Sequence, residues 1–598
     1  MSTRRSFLPT LPITFFVLLF GISAYLGTTT TYDPTLIGDS LLAVFISVGM
    51  YLVAAYLIRT RYIARYTSLI LMELCVGFAL LFISQFRYQD YPEMTGFIQS
   101  LGNATSFLPD LSLGYLHPNA VATILEVAFP MALAFVFSRR RPAYWIAGGI
   151  MALILLYAIF LTYSRGAYVG LAGALFALGV ALVLKRLPRL AAWIVAGVGV
   201  IIAVIVVAAL FNLNPAQPLP ILNRAVDPRL TLYHNSLYIA RDYAFTGIGM
   251  GNTFAKIYSR YSLLIQPLFL SYASNLLLSV WLNQGILGLV AFLGLIVTYY
   301  RYVARIIKRT RPSTMFHGLW LGVTASLVHG LFDARQYTES PLVMPVLFIA
   351  IGLTIAYGQV ALKEEGIWLS IRHWLRRGLL FYAAPILIIG VIGFLVLQTS
   401  ITAAWYTNQG AQDETRADFA PSLTDPQRRQ LADSAAHWYS QALTINPDYA
   451  PANRRLGNLR VAHNEYEAAV PFLEQAYAAE PTNPAAIKGL GLDYVWVGRT
   501  QDAAQVLKNL PNVDDMANEL YTWGYFRSGD DQHQPLLAAY AWEAAEYMGD
   551  AGNADVWMKI AGFYEQAGIV DREKAAYQHV LDIDPNNRDA REALAKLN

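Results

Sequence analysis

The chain has 598 residues, of which 56% are hydrophobic and only 14% charged. Soluble domains carry about 25% charged residues, so this composition excludes an ordinary cytosolic enzyme, and it is too apolar for a disordered chain. The net charge of +3 conceals a split: 28 Lys and Arg face 13 Asp and Glu up to Ser400, and 16 face 28 beyond it, so that +15 is followed by −12.

Apolar stretches of about 20 residues are long enough to cross a bilayer. Eleven are predicted, at 11–27, 36–58, 67–86, 118–137, 143–163, 166–184, 190–211, 272–300, 313–332, 341–361 and 378–400. Arg4 and Arg5 precede the first one as they would in a signal peptide, but no small-x-small cleavage site follows, so a retained helix is expected. With the N-terminus in the cytoplasm, the cytoplasmic connections hold Arg59, Arg61 and Arg65, then Arg139–Arg141, then Lys185, Arg186 and Arg189. The later ones hold Arg301, Arg305, Lys308, Arg309 and Arg311, then Lys363, Arg372, Arg376 and Arg377. The opposite loops Thr28–Thr35 and Arg87–His117 are poor in basic residues, which is the positive-inside pattern. An odd number of spans then puts the acidic C-terminal part outside the cytoplasm. The single cysteine, Cys75, excludes an intrachain disulfide and leaves the redox compartment open.

Ionisable groups inside a span are costly and therefore informative. Glu73 and Glu126 are the notable acids; Glu126 lies about eight residues into the fourth span, after His117-Pro118-Asn119. It could pair with an arginine of an outer cavity or hold two helices together. The fifth and sixth spans meet at Thr162-Tyr163-Ser164-Arg165-Gly166, which puts Arg165 at the outer interface, either as a snorkelling anchor or as a phosphate clamp. Between the seventh and eighth spans, an outer loop at about 212–271 carries Arg224, Arg229, Arg241, Lys256 and Arg260 against Asp227 and Asp242. That basic excess suits an anionic ligand such as a phosphate, or lipid headgroups. The run Gly247-Ile248-Gly249-Met250-Gly251-Asn252 has no βαβ unit around it and is discounted as a nucleotide loop, although a tight turn there could aim backbone N–H groups at a diphosphate. The ninth span ends in His329-Gly330-Leu331-Phe332-Asp333-Ala334-Arg335. On a helix, His329 and Asp333 share a face, so the carboxylate could poise the imidazole as a general base, or the two could form a plain helix-end pair. No spacing suggests a metal site.

The membrane part is expected to cover 1–400, with a linker at 401–432. From about Asp433 to the end, 433–598, short Ala-, Tyr- and Leu-rich helices take over. Asn446-Pro447 and Glu480-Pro481 are 34 residues apart, the tetratricopeptide period, and Asp584-Pro585 closes a comparable helix further on. About four helical hairpins are predicted to stack as a solenoid whose concave face takes a peptide or protein. His437, His463, His533 and His579 have no catalytic or ligand spacing and read as surface or packing residues. The fold class expected is thus all-α: a polytopic bundle of about 11 spans with a C-terminal tetratricopeptide-type α-solenoid.

Three segments together carry a family resemblance. LTYSRGAYVGLAGAL resembles the Ser-Arg-Gly helix start of bacterial O-antigen ligases and polymerases. RLTLYHNSLYIARDYAFTGIGMGNTF resembles the segment opening their large outer loop, and SNLLLSVWLNQGILGLVAF the span that follows it. The similarity covers roughly Gly114–Arg335, and fusion to outer repeats also looks like members of this family. It implies a plasma-membrane enzyme that transfers a glycan from an undecaprenyl-diphosphate carrier to an acceptor lipid, protein or polysaccharide outside the cytoplasm. No metal, nucleotide, nucleic acid or cofactor is implied. By position, Arg165 and Arg229 match the family's diphosphate-binding arginines, with Arg241 and Arg335 as further candidates. Asn275 matches the Asn of a His-Asn pair, but the His position holds Ser274, which cannot act as an imidazole base. His329 with Asp333, or His234, would then supply the base. The alternative is a non-catalytic membrane anchor whose repeats recruit an envelope polysaccharide assembly complex. A transporter fits worst, because no repeated half or matched pair of broken spans is visible.

Overall fold

In lipid a backbone must satisfy its own polar groups, so the apolar runs of the first 400 residues can span only as helices. The computed structural model describes residues 11–86, 96–105, 107–109, 111, 116–138, 142–186, 220–264, 270–338, 343–364, 380–510, 513–528 and 533–597, and among these there is no strand. Contacts divide the chain into two units, Met1–Ala255 with Phe269–Ile392, and Lys256–Leu268 with Gly393–Asn598.

Ten helices make the frame of the first unit: α1 Leu11–Thr28, α2 Gly38–Leu52, α3 Arg61–Gln85, α4 Pro118–Val136, α5 Pro142–Leu161, α6 Arg165–Arg186, α7 Pro220–Asp242, α8 Leu276–Arg309, α9 Thr314–His329 and α10 Val343–Glu364. Among the described residues seven helices are long and apolar enough to cross a membrane. They are α2, extended to Leu57, α3, α4, α5, α6 up to Leu182, α8 and α10. These correspond to seven of the eleven predicted spans. The predicted first and ninth spans are the shorter helices α1 and α9, and the eleventh falls on the helix Leu380–Phe419. The seventh, at 190–211, lies outside the described residues.

Helix α4 packs against α3, α5, α6, α9 and α10. Its Val121, Leu125, Ala128, Met131 and Ala132 are all withdrawn from the surface. Small residues let the neighbours close in, as they do wherever lipid offers no hydrophobic drive between helices. A Cβ on Gly322 of α9 would stand 2.3 Å from the Val127 carbonyl oxygen of α4, and one on Gly170 of α6 would stand 2.5 Å from that of Ala325. Helix α9 is therefore held tightly between α4 and α6.

One helix is broken. Gly285 inside α8 has φ 66° and ψ −168°, so its turn cannot hydrogen-bond internally. The glycine run of the preceding loop fills the break. Ile248 N–H donates to the Leu282 carbonyl at 2.5 Å, and Ile286 N–H donates to that of Ala244 at 3.1 Å. On the other side Met250 N–H donates to the Gly27 carbonyl at 3.0 Å, and Thr31 Oγ1 donates to that of Met250 at 2.7 Å. The run is thus a plug that satisfies an interrupted membrane helix. The N–H groups of Gly247, Ile248 and Met250 are spent on carbonyls, so these three are not offered to a diphosphate.

In the second unit, helices end at Ile445, Ala479 and Ile583, each one residue before an X-Pro pair, as the clash of proline with a preceding helical residue requires. Between the two X-Pro pairs, Ala450–Ala462 and Tyr466–Ala479 form one hairpin of the 34-residue period, and Pro484–Trp496 with Thr500–Leu507 forms the next. The stretch expected as a linker, 401–432, is mostly helical, since Leu380–Phe419 ends and Asp425–Ile445 begins within it. Glu414 of the former accepts from Tyr439 at 2.5 Å and from Arg455 at 3.1 Å, so it belongs to the repeat packing.

At Gly285 an added Cβ would meet the Phe245 carbonyl oxygen at 2.1 Å, and at Gly247 it would meet that of Leu282 at 2.2 Å; at Gly149 it meets nothing within 4 Å. Gly285→Ala and Gly247→Ala are each expected to destabilise the detergent-solubilised protein by about 2–3 kcal/mol, against less than about 0.5 kcal/mol for Gly149→Ala. Equal melting temperatures for the three variants would contradict the plug.

Candidate functional site

The Ser-Arg-Gly corner has a physical division of labour. Tyr163 takes a left-handed φ of 48°, which turns the chain out of α5. Ser164 then caps α6, its Oγ accepting from Ala167 N–H at 3.4 Å, and Arg165 is the first helical residue with its side chain exposed. Gly166 leaves the notch that an imidazole fills, for a Cβ there would lie 2.3 Å from His329 Cδ2.

His329 ends α9 and is wholly buried, as is Glu126 on α4. The imidazole Nδ1 lies 3.1 Å from both Glu126 oxygens, and Nε2 lies 3.4 Å from Ser164 Oγ. A carboxylate at Nδ1 fixes the tautomer that leaves the Nε2 lone pair available, so the three groups form a carboxylate–imidazole–hydroxyl chain. The expectation of a His329–Asp333 pair is thereby corrected. Glu126 takes that place because α4 and α9 cross at the depth of the ring.

Asp333 serves a second cluster. It accepts from Asn119 Nδ2 at 2.7 Å and from Arg335 N–H at 3.1 Å, with Arg335 Nε 3.8 Å away. The Arg335 guanidinium lies 5.2 Å from the centroid of the Tyr272 ring. Burial, then the Asp333 charge, push the Tyr272 phenol above its ordinary value, while Arg335 and Arg229 oppose them. Tyr233 is pushed up to about 12 by burial, again against Arg229. His117 is pushed down to about 4 by burial and by the Arg335 charge, with Asp333 opposing. That residue caps α4, its Nδ1 accepting from Asn119 N–H at 3.2 Å. In the sequence His117 stands out only as a flank of Glu126. Its signal was the His-Pro pair at a helix start, where proline at the first position leaves the preceding side chain to cap.

The turn at Ser274 is stitched to the turn after His329. Leu276 N–H donates to the Gly330 carbonyl at 2.6 Å, and Asn275 Nδ2 donates to that of Leu331 at 2.9 Å. Tyr233 O–H reaches the carbonyls of Ser274 and Leu331 at 3.0 and 3.2 Å. Asn275 also caps α8 through its Oδ1, so both ends of its side chain are structural. Ser274 thus lies in a turn that abuts the one following His329.

Arg229, half-buried, and exposed Arg165 have no ion-pair partner among the described residues. His234 and Arg241 are exposed on α7. Arg241 lies twelve residues beyond Arg229, which is about 18 Å along a helix axis, too far to share one diphosphate with it. A cavity of about 410 Å³ adjoins Tyr272 and is lined by polar uncharged groups such as Asn252, Ser271 and Asn283, with Asp39 its carboxylate. Among the described residues no group of three His, Cys, Asp or Glu could hold a metal ion.

Residues 150–293 match the model of the O-antigen ligase family, and 460–521 match that of a tetratricopeptide repeat. No curated protein matches the chain. Among solved structures, a crystal structure of the MamA protein is similar at 20% identity, covering 33% of this chain and 94% of its own, with a TM-score of 0.18.

Because the folded state holds His117 neutral, its share of stability is present above the ordinary histidine value of 6.5 and is lost as pH falls from there towards about 4. His117→Asn keeps a capping side chain and removes the titration. The melting temperature of the variant should therefore fall less than that of the wild type between pH 7 and pH 4.5, and parallel pH profiles would contradict the assignment.

Proposed function

We propose that this O-antigen ligase-like membrane protein with C-terminal tetratricopeptide repeats transfers a glycan from undecaprenyl diphosphate to an acceptor hydroxyl on the extracytoplasmic side. The observation that carries this reading is the buried chain Glu126–His329–Ser164, with Arg165 directly after Ser164 in sequence. The acceptor oxygen attacks the anomeric carbon of the first sugar, and the bond from that carbon to the diphosphate breaks. Arg165, Arg229 and Arg335 receive the charge that develops on the leaving diphosphate, the interaction expected to dominate a transfer of this kind. The acceptor proton passes through the Ser164 hydroxyl to His329 Nε2, and the Glu126 carboxylate stabilises the imidazolium. His329 thus does what Ser274 cannot. Asp333 acts on Arg335 and Tyr272 and sets the position of the guanidinium rather than taking the proton.

Purified full-length protein in nanodiscs, supplied with undecaprenyl-diphosphate glycan and acceptor, tests this. Arg229→Ala and Arg165→Ala should each lower transfer by about 10²–10³-fold, with the arginine-to-lysine variants in between. Transfer at the wild-type rate by both alanine variants would overturn the mechanism and favour the non-catalytic anchor.

A further inference from the structure

The loop segment that opens with Lys256 and Arg260 belongs to the repeat unit, where it already shows how that unit binds a polypeptide. Arg260 pairs with Asp418 at 2.9 Å. The Tyr261 hydroxyl donates to Asn483 Oδ1 at 2.5 Å, with the Arg454 guanidinium 4.8 Å from its ring centroid. Lys488 Nζ donates to the Leu263 carbonyl at 3.1 Å. An aromatic side chain and a backbone carbonyl are thus both read by side chains of the solenoid.

Beside this seated segment is a cavity of about 420 Å³, large enough for a few side chains. Its walls combine apolar side chains such as Val461 and Leu492 with Trp496 and Trp523. Its charged lining is Arg260, Arg454, Arg455 and Arg527 against Glu414 alone, and Glu414 is taken by Tyr439 and Arg455. Arg527 lies 4.3 Å from the centroid of Trp496 and 5.8 Å from that of Trp523. Among the described residues, Trp523 Nε1 and Arg527 Nε are shielded from solvent and meet no acceptor. Buried donors without acceptors are rare, and each calls for a partner. Stacked and partly dry, this guanidinium fits a carboxylate. The half from Ile401 onward is acidic as a whole, so a cavity lined by four arginines and one carboxylate stands out as a place that would draw an anion.

We propose that this cavity binds an acidic peptide segment of a partner protein, which lies against the chain's own Tyr261–Leu264. A carboxylate of the partner accepts from Trp523 Nε1 and Arg527, and its apolar neighbours cover Val461 and Leu492. This site is separate from the transfer chemistry, so its test does not depend on activity.

The test is a fluorescence anisotropy titration of full-length protein in nanodiscs with a labelled dodecapeptide of alternating Glu and Leu. A Lys/Leu peptide of the same length and trigalacturonate, an anionic sugar, serve as competitors. The Glu/Leu peptide should bind and weaken with added salt. Trp523→Phe removes only the indole donor and keeps a ring, and it should weaken binding about tenfold. Arg527→Gln should weaken it at least as much, whereas Arg588→Gln, on an exposed residue of the last helix, should leave it unchanged. Unchanged binding by Trp523→Phe, or equal competition by the Lys/Leu peptide or by trigalacturonate, would overturn the proposal.

Discussion

A carboxylate and an imidazole buried together between membrane helices are the constraint on which the first unit depends. Neither Glu126 nor His329 has water to solvate it, and each is tolerated because the other satisfies it. Breaking such a pair by removing one partner typically costs about 3–5 kcal/mol, so the three helices that surround it must be fixed closely. Small residues do this. Gly166, Gly170 and Gly173 lie three and four apart on one face of α6, against His329, the Ala325 carbonyl and Val328 of α9. Gly322 brings α9 onto the backbone of α4 from the other side. The end of α9 is then tied to the start of α8 by the bonds between Gly330–Leu331 and Asn275–Leu276.

The same logic extends to the broken helix. At Gly285 the helix cannot meet its own backbone bonds, and the loop that carries the arginine-bearing helix α7 supplies them. Trp281 adds an indole bond to the Ala244 carbonyl at 2.9 Å, and Gln284 joins Ser23 to Tyr337 through bonds of 2.6 and 2.8 Å. A long connection would otherwise leave α7 loosely placed. Anchored in the break immediately after Asp242, α7 presents Arg229 and Tyr233 where their charges and hydroxyls act on Tyr272 and on the turns at Ser274 and Leu331.

Several elements were legible because one local rule produced each of them. Span length and apolarity marked the membrane helices, and the 34-residue spacing of the X-Pro pairs marked the repeat hairpins. The Ser-Arg-Gly corner was visible because a cap, a first helical residue and a notch are adjacent in sequence. What stayed hidden depends on helix crossings. The four-residue spacing of His329 and Asp333 made them look like partners, whereas Glu126, about two hundred positions away, faces the ring. The glycine run looked like a ligand turn because its carbonyl partners lie in α1 and α8. Asn275 looked functional by motif, but its two bonds are a cap and a turn closure. Nothing local in the outer loop indicated that Tyr261 and Leu263 would be held by Asn483 and Lys488.

The central claim is that the Glu126–His329 pair acts on the proton while the arginines act on the diphosphate. Glu126→Gln keeps the size of the side chain and an oxygen to accept from Nδ1, and it removes the charge that stabilises the imidazolium. The decisive measurement is the single-turnover transfer rate of this variant together with its dissociation constant for the lipid-diphosphate glycan. The rate is predicted to fall by about 10²–10⁴-fold, with binding within about threefold of wild type. A wild-type rate, or a loss confined to binding, would contradict the account.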